Sequence, residues 1–137
     1  MTSLIFIGGG NMAEALLRGG LKAGVLGADA VHVADPTPER RAVMASIGVT
    51  VHESATDAVH AAPLAPIVLA VKPQMLRAVH RDTGVLPDRA IISILAGTPV
   101  AKIRDVFGTP RVVRVMPNTP ARLGRGMSAI ARGAGAL

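Results

Sequence analysis

The stretch LIFIGGGNMAEALLRGG, residues 4–20, joins a short apolar run to a helix-like segment through three consecutive glycines. The run at 4–7 is aliphatic and brief, as expected of a buried strand. Within 11–23 the apolar residues recur at positions 12, 13, 16, 17 and 21, which is the spacing of one helix face. The stretch therefore predicts a strand, a glycine turn and a helix.

The same alternation of apolar runs and helix-like segments continues along the chain. The predicted strands lie at 4–7, 30–34, 49–51, 66–71, 90–95 and 111–116, with a seventh at 127–131. The run at 67–71 shows no polar alternation, which favours a strand buried on both faces of a parallel sheet. The pattern predicts an α/β fold with a doubly wound, mainly parallel sheet.

Helix boundaries carry their own signals. Two Thr-Pro pairs place a capping hydroxyl before a proline at the first helical position, namely Thr37-Pro38 and Thr98-Pro99. Ser54, followed by Asp57, is a weaker start signal. Three glycines follow helical stretches, where a left-handed residue is expected: Gly24, Gly48 and Gly108.

The glycine turn matches the pattern G-x-G-x-x-A at Gly8, Gly10 and Ala13. Asp35 closes the next predicted strand, 22 residues after Ala13, near the spacing of about 20 in dinucleotide-binding folds. Gly8 permits the tight turn, Gly10 lets a pyrophosphate approach the backbone, and Ala13 packs close to the sheet. Free amides at the helix start then receive the negative charge. These features predict a Rossmann-type dinucleotide-binding domain.

The choice between NADH and NADPH stays open at this stage. A carboxylate at Asp35 accepts hydrogen bonds from ribose hydroxyls and repels a 2′-phosphate. However, Thr37, Arg40 and Arg41 follow at once, and a guanidinium group pairs well with phosphate.

Composition excludes several other classes of protein. The 137 residues contain no cysteine, so a disulfide framework and a thiolate metal site are impossible. The net charge is +6, but the arginines are scattered and stacking aromatics are lacking, which argues against nucleic-acid binding. No apolar run reaches the ~18 residues of a membrane span, and no signal peptide is recognisable. We expect a cytoplasmic protein with a small-molecule substrate.

Other catalytic patterns are incomplete. No G-K-[ST] follows the glycines, and the HRD at 80–82 lacks the rest of a kinase catalytic loop. The four histidines show no metal-ligand spacing, and we expect them at the surface or at strand edges: His32, His52, His60 and His80. The sequence therefore predicts no metal site and assigns no catalytic acid, base or nucleophile.

Four stretches together carry a resemblance to a known family: FIGGGNMAEALLRG (6–19), AVKPQ (70–74), SILAG (93–97) and RVMPNTPARLGRGM (114–127). In order, over essentially the whole chain, they resemble the N-terminal domain of pyrroline-5-carboxylate reductase. The resemblance implies reduction of 1-pyrroline-5-carboxylate to L-proline, the last step of proline biosynthesis, with NADPH or NADH as hydride donor.

The resemblance also implies a set of cofactor-binding residues. The pyrophosphate would lie against Ile7, Gly8, Gly9, Gly10, Asn11 and Met12, and the adenosine ribose would face Asp35. The nucleotide would be lined after the fourth strand by Ala70, Val71, Lys72 and Pro73. Ala96 and Gly97 would pass beside the nicotinamide ribose, with Met116, Pro117 and Asn118 nearest the nicotinamide and the substrate.

The chain departs from the family in two ways. Ala55 stands where family members often carry an asparagine that helps to hold the adenosine. The C-terminal helical domain, which builds the dimer and binds the substrate carboxylate, has no counterpart. We therefore expect a dinucleotide-binding domain over 1–131, a frayed tail over 132–137, and little activity from the chain alone. Full-length family members are homo-oligomers, and the state of this chain is left open.

Two alternatives remain beside the reductase. One is a non-catalytic NAD(P)-binding module or truncated fragment. The other is a different reductase, related to 6-phosphogluconate dehydrogenase or linked to a deazaflavin, which shares the glycine loop but is disfavoured by MPNTP at 116–120.

Overall fold

The computed structural model describes residues 3–116 and 129–132. The strands are β1 (Leu4–Ile7), β2 (Val31–Ala34), β3 (Thr50–His52), β4 (Ile67–Leu69), β5 (Ile91–Ser93), β6 (Val112–Met116) and β7 (Ala129–Arg132). The helices are α1 (Asn11–Lys22), α2 (Pro38–Ile47), α3 (Ala55–Ala61), α4 (Leu76–Thr83) and α5 (Val100–Phe107). Short 3₁₀ turns precede β2 and α4, at Ala28–Ala30 and Pro73–Met75.

All seven strands form one sheet, in the order β3-β2-β1-β4-β5-β6-β7. Strands β1 to β6 pair in parallel, and β7 pairs antiparallel with β6 at the edge. The predicted doubly wound, mainly parallel sheet is confirmed. Its winding reverses between β1 and β4, and ligands of such sheets bind at the carboxyl ends of the strands beside that reversal.

Helices cover both faces of the sheet because side chains alternate along each strand. On β1, Phe6 packs in the core layer that holds α1 and α2, whereas Ile5 and Ile7 pack in the layer that holds α3, α4 and α5. The largest fully buried side chain, Phe107, comes from α5. None of the helices in the described part of the chain combines the length and apolar character that a bilayer span requires.

Several strands are shorter than the apolar runs that predicted them. The run at 66–71 yields a strand of three residues, and the run at 90–95 yields another of three. Apolar residues beyond the strand ends remain in the core: Leu95 is 2% exposed, and Val71 packs against the same layer. An apolar run therefore indicates which residues are buried. Burial can continue beyond the last residue that is hydrogen-bonded within the sheet.

The helix signals were mostly correct. Ser54 precedes α3, and its Oγ accepts a hydrogen bond from the Asp57 amide at 3.1 Å. Gly48 and Gly108 end α2 and α5 in left-handed conformations, with φ of 102° and 67°. Gly24, with φ of 76°, comes one residue after Ala23, which caps α1.

The two Thr-Pro pairs need correction. Thr37 does precede α2, but within the described residues its hydroxyl makes no capping bond; its amide donates to Asp35 Oδ1 at 2.8 Å. Helix α5 starts one residue later than predicted, with Pro99 at its cap. The Thr98 hydroxyl instead donates to the Ala96 carbonyl at 3.1 Å.

The turn after β1 passes very close to the end of β4. Gly8 has a φ of +105°, and a Cβ there would lie 2.6 Å from the Ala70 carbonyl oxygen, just past the end of β4. The Gly8 amide donates to Ala34, and the Ala70 amide donates to Ile7, both at 2.8 Å. A side chain at position 8 would therefore push the loop away from two strands at once.

We expect Gly8→Ala to lower the free energy of unfolding by about 2 kcal/mol or more, because it combines a left-handed backbone with a clash against backbone atoms. Urea denaturation measures the loss. Gly10→Ala is the matched control, since position 10 has an ordinary φ of −78° and a Cβ there meets nothing within 4 Å. As Gly10 caps α1, the control should cost about 1 kcal/mol or less. Equal costs for the two variants would contradict this account of the turn.

Two histidines meet on neighbouring strands, although the sequence indicated no link between them. His32 Nδ1 and His52 Nε2 lie 2.9 Å apart, and the rings stack with centroids separated by 5.2 Å. Burial, followed by the proximity of His32, lowers the pKa of His52 below its ordinary value of 6.5, against a smaller raising effect of Asp57.

This histidine pair predicts a pH dependence of stability. Because the pKa of His52 is lower in the folded state, the unfolded chain binds more protons as the pH falls below about 6.5, and stability decreases there. Urea unfolding at pH 7.5 and pH 5.5 should show a larger loss for the wild type than for His52→Gln. Identical losses would show that His52 does not contribute to the pH dependence.

Candidate functional site

A cavity of about 610 Å³ opens where the carboxyl ends of β1, β2 and β4 meet. It brings together eight of the residues that the sequence marked: Ile7, Gly8, Gly9, Gly10, Asp35, Ala70, Val71 and Lys72. Its remaining lining residues are Ala34, Pro36, Thr37, Glu53, Ser54, Ala55, Met75, Ala78, Val79 and Asp82. The reversal of the sheet therefore places one cleft over the glycine turn and the end of β2.

Five other marked residues do not line this cavity. Asn11 and Met12 begin α1, Pro73 begins the turn before α4, and Ala96 and Gly97 follow β5 on the far side of β4. The predicted residue Met116 ends β6, and nothing is described of its side chain; the predicted residues Pro117 and Asn118 lie outside the described residues. The cavity is thus the part of the expected site at the ends of β1, β2, β3 and β4.

One wall of the cavity was not predicted. It consists of Met75, Ala78, Val79 and Asp82, from α4 and the turn before it. Their spacing of three, four and seven residues is that of one helix face, which is the signal that the sequence did contain. This wall offers an apolar surface with a carboxylate at its far end.

The glycine turn leaves open space beside Gly10. A Cβ at this position would meet nothing within 4 Å, although the residue lines the cavity. Helix α1 begins at Asn11, directly after Gly10, with no side-chain cap among the described residues, so the amides of its first turn lack an intrahelical acceptor. Together with the helix dipole, these amides suit an anionic group.

The amide of the middle glycine already has an acceptor within the protein. The Gly9 amide donates to Asp35 Oδ2 at 2.8 Å, and this bond is buried. On the other side of the residue, Arg40 Nε donates to the Gly9 carbonyl oxygen. Side chains from the end of β2 and from α2 therefore hold the turn in place by its own backbone.

Arg40, on α2, also forms a group of charged side chains with Glu14 and Arg18, which lie on α1. Its Nη2 lies 2.9 Å from Glu14 Oε1, and Arg18 Nε lies 2.9 Å from Glu14 Oε2. The hydrogen bond from Arg40, followed by that from Arg18, lowers the pKa of Glu14 below its ordinary value of 4.5. Glu14 is therefore ionised at neutral pH and fixes the direction of the Arg40 side chain.

Asp82 joins α4 to the start of α3. Its Oδ2 accepts hydrogen bonds from the Ala55 amide at 2.8 Å and the Thr56 amide at 3.3 Å. The Thr56 hydroxyl donates to Asp82 Oδ1 at 2.7 Å. A carboxylate from another helix thus occupies the amides that an incoming anion would otherwise use at α3.

The arrangement suits binding more than acid–base chemistry. No histidine or cysteine lines the cavity within residues 3–116, and the Ser54 hydroxyl already accepts a bond from the Asp57 amide. The cleft offers an anion site at α1, hydrogen-bond acceptors at Asp35 and an apolar wall from α4. A long ligand with an anionic centre and a flat apolar end fits this set of groups.

Sequence relatives support the resemblance to pyrroline-5-carboxylate reductases. The pyrroline-5-carboxylate reductase of Pisum sativum is 38% identical over 136 residues, which cover 98% of this chain and 49% of the relative. That of Pasteurella multocida is 43% identical over 133 residues, covering 93% of this chain and 48% of the relative. The chain therefore spans about half the length of the curated relatives it matches.

Solved structures agree with these relatives. A pyrroline-5-carboxylate reductase from Coxiella burnetii superposes with a TM-score of 0.84 at 26% identity, over 96% of this chain and 50% of that one. The Plasmodium falciparum pyrroline carboxylate reductase, solved with NADP bound, gives 0.79 at 23% identity, over 99% and 50%. The second likeness concerns the fold alone.

A family model described as NADP oxidoreductase, coenzyme F420-dependent, matches residues 3–97. This match runs from β1 through the glycine turn and the α4 wall to the segment after β5. With the glycine turn, the switch-point cleft and the relatives in agreement, the chain belongs to this oxidoreductase family and is similar to the N-terminal half of pyrroline-5-carboxylate reductases.

Proposed function

We propose that the cavity binds NADH or NADPH and that this chain supplies the cofactor-binding half of a pyrroline-5-carboxylate reductase. The observation that carries the proposal is the open space at Gly10 beside the first amides of α1. A diphosphate fits there because nothing projects from residue 10 and the helix dipole favours negative charge. The named relatives support the choice of substrate, 1-pyrroline-5-carboxylate, and of product, L-proline.

Different residues of the chain would bind different parts of the nucleotide. The turn from Gly8 to Gly10 and the start of α1 would hold the pyrophosphate, and Asp35 would accept hydrogen bonds from the adenosine ribose. Met75 and Val79 offer an apolar surface to the adenine. The remaining residues that the resemblance assigns to cofactor binding stay proposals: Asn11, Met12, Pro73, Ala96, Gly97, Pro117 and Asn118.

The reaction asks little acid–base work of these residues. When bound, the reduced nicotinamide supplies a hydride for the imine carbon. A protonated imine already accepts hydride readily, so the contribution of the chain is to hold the nucleotide in one orientation. The lack of a histidine or cysteine in the described cavity lining is compatible with this role.

The substrate carboxylate would be bound by residues beyond these 137, in a helical second domain that also builds a homo-oligomer. The half-length match to the relatives supports this division. We also propose a cytoplasmic location, as expected from the sequence.

Gly10→Val tests the nucleotide site. A branched side chain would enter the space assigned to the diphosphate, so affinity for both NADH and NADPH should fall about a hundredfold or more. Titration followed by nicotinamide fluorescence measures the change. Because a Cβ at position 10 meets no neighbour, the variant should keep its fold.

Ala61→Val is the matched control, since it adds the same side chain at an exposed position at the end of α3. It should bind both nucleotides like the wild type. Unchanged affinity in Gly10→Val would contradict the assignment of the loop.

A second prediction concerns activity. The purified 137-residue chain should bind reduced nucleotide but oxidise little of it when 1-pyrroline-5-carboxylate is added, because the proposed carboxylate-binding half is not part of it. Absorbance of the reduced nicotinamide and assay of proline give the readout. Robust proline formation would contradict the proposed division of labour, whereas failure to bind nucleotide would contradict the cofactor site itself.

A further inference from the structure

We propose that the end of the cavity formed by β2 and β3 selects a nucleotide with a free 2′-hydroxyl, so that the chain binds NADH more tightly than NADPH. This inference rests on the proposed function, because it concerns the adenosine end of the same cofactor. The sequence left the choice open, since Asp35 favours NADH while Arg40 and Arg41 would suit a 2′-phosphate. The partners that the two arginines already have decide between these readings.

The Arg40 side chain binds the glycine turn. Its guanidinium group donates to the Gly9 carbonyl and lies 2.9 Å from Glu14, and both side chains of this ion pair are 25% exposed. It does not line the cavity. Its other N–H groups could still donate to a phosphate, but moving the side chain into the cleft would weaken its contacts with Glu14 and with the turn. Arg40 is therefore a positioning residue for the loop.

The Arg41 side chain also has partners within the protein. Its Nη1 donates to the Asp35 carbonyl oxygen at 2.9 Å, and its Nη2 lies 3.7 Å from Glu53 Oε1. Like Arg40, it is not part of the cavity lining. Its contacts brace the backbone at the end of β2 and neutralise part of the charge on Glu53.

The groups that do line this end of the cavity are acidic. Asp35 follows β2, Glu53 follows β3, and Asp82 contacts the start of α3, which comes directly after Glu53 and Ser54. The cationic side chain of the described lining is Lys72, which follows β4. In the strand order β3-β2-β1-β4, the lysine lies on the other side of the glycine turn from Asp35 and Glu53.

These charges act on NADH and NADPH differently. A ribose diol can donate hydrogen bonds to Asp35, whose two oxygens already accept from the Gly9 and Thr37 amides and retain further lone pairs. A 2′-phosphate has no proton to spare for a carboxylate and would be repelled by all three acidic side chains. Selectivity would thus arise from repulsion of the wrong ligand as well as attraction of the right one.

The first test is a titration of the wild-type chain with NADH and with NADPH under identical salt, read by nicotinamide fluorescence. We expect NADH to bind about tenfold more tightly or better. Equal affinities, or tighter binding of NADPH, would overturn the selectivity and leave the proposed cofactor site standing. Failure of both nucleotides to bind would overturn the proposed function and this inference together.

The second test separates a positioning role of Arg40 from phosphate recognition. Arg40→Gln should weaken NADH and NADPH by the same factor, because it loosens the shared turn. Arg77→Gln, which removes one charge from an exposed position on α4, is the matched control and should change neither affinity. Loss of NADPH affinity alone in Arg40→Gln would identify a 2′-phosphate contact and overturn the proposal.

A third variant avoids the loop altogether and remains informative if Arg40→Gln does not fold. Glu53 is 80% exposed, so Glu53→Gln should leave stability unchanged and raise the affinity for NADPH about two- to threefold relative to that for NADH. Glu39→Gln on α2, outside the cavity lining, is its matched control. An unchanged ratio of affinities in Glu53→Gln would count against repulsion at this end of the cavity.

Discussion

A Cβ on residue 8 would lie only 2.6 Å from the carbonyl oxygen of Ala70. This close approach brings the turn after β1 against the end of β4, the two strands between which the sheet reverses its winding. Only glycine combines the absence of a Cβ with the required φ of +105°. Both residues of this contact line the cleft, so its shape depends on their close approach.

The charged residues around the turn bind the backbone of the turn itself, whether or not a ligand is present. Asp35 holds the Gly9 amide and Arg40 holds the Gly9 carbonyl, so the two sides of one small residue are tied to β2 and α2. Glu14 in turn keeps Arg40 in place. A site organised in advance in this way loses less entropy when a nucleotide binds. The same ties withdraw positive charge from the adenosine end of the cleft.

The sequence predicted the backbone of the site better than its side-chain roles. The spacing of Gly8, Gly10 and Asp35 located the glycine turn after β1 and the end of β2, because local geometry dictates those residue types. It did not indicate that Asp35 would be bonded to Gly9, since 26 residues separate the pair. The helix start predicted at Thr98-Pro99 was wrong by one residue for a local reason, because the Thr98 hydroxyl donates to the Ala96 carbonyl two residues earlier.

By itself, the sequence determined the alternation of strands and helices, the parallel sheet and the glycine turn, because periodicity and backbone conformation are local properties. Only the tertiary structure decided which residues face the nucleotide cleft, such as the wall of Met75 and Val79 and the carboxylate of Asp82. It also decided that Arg40 and Arg41 bind other groups of the protein and are not part of the cavity lining. The physical reason is that side-chain partners are chosen by distance in space, and strand order brings together residues that lie far apart in the chain.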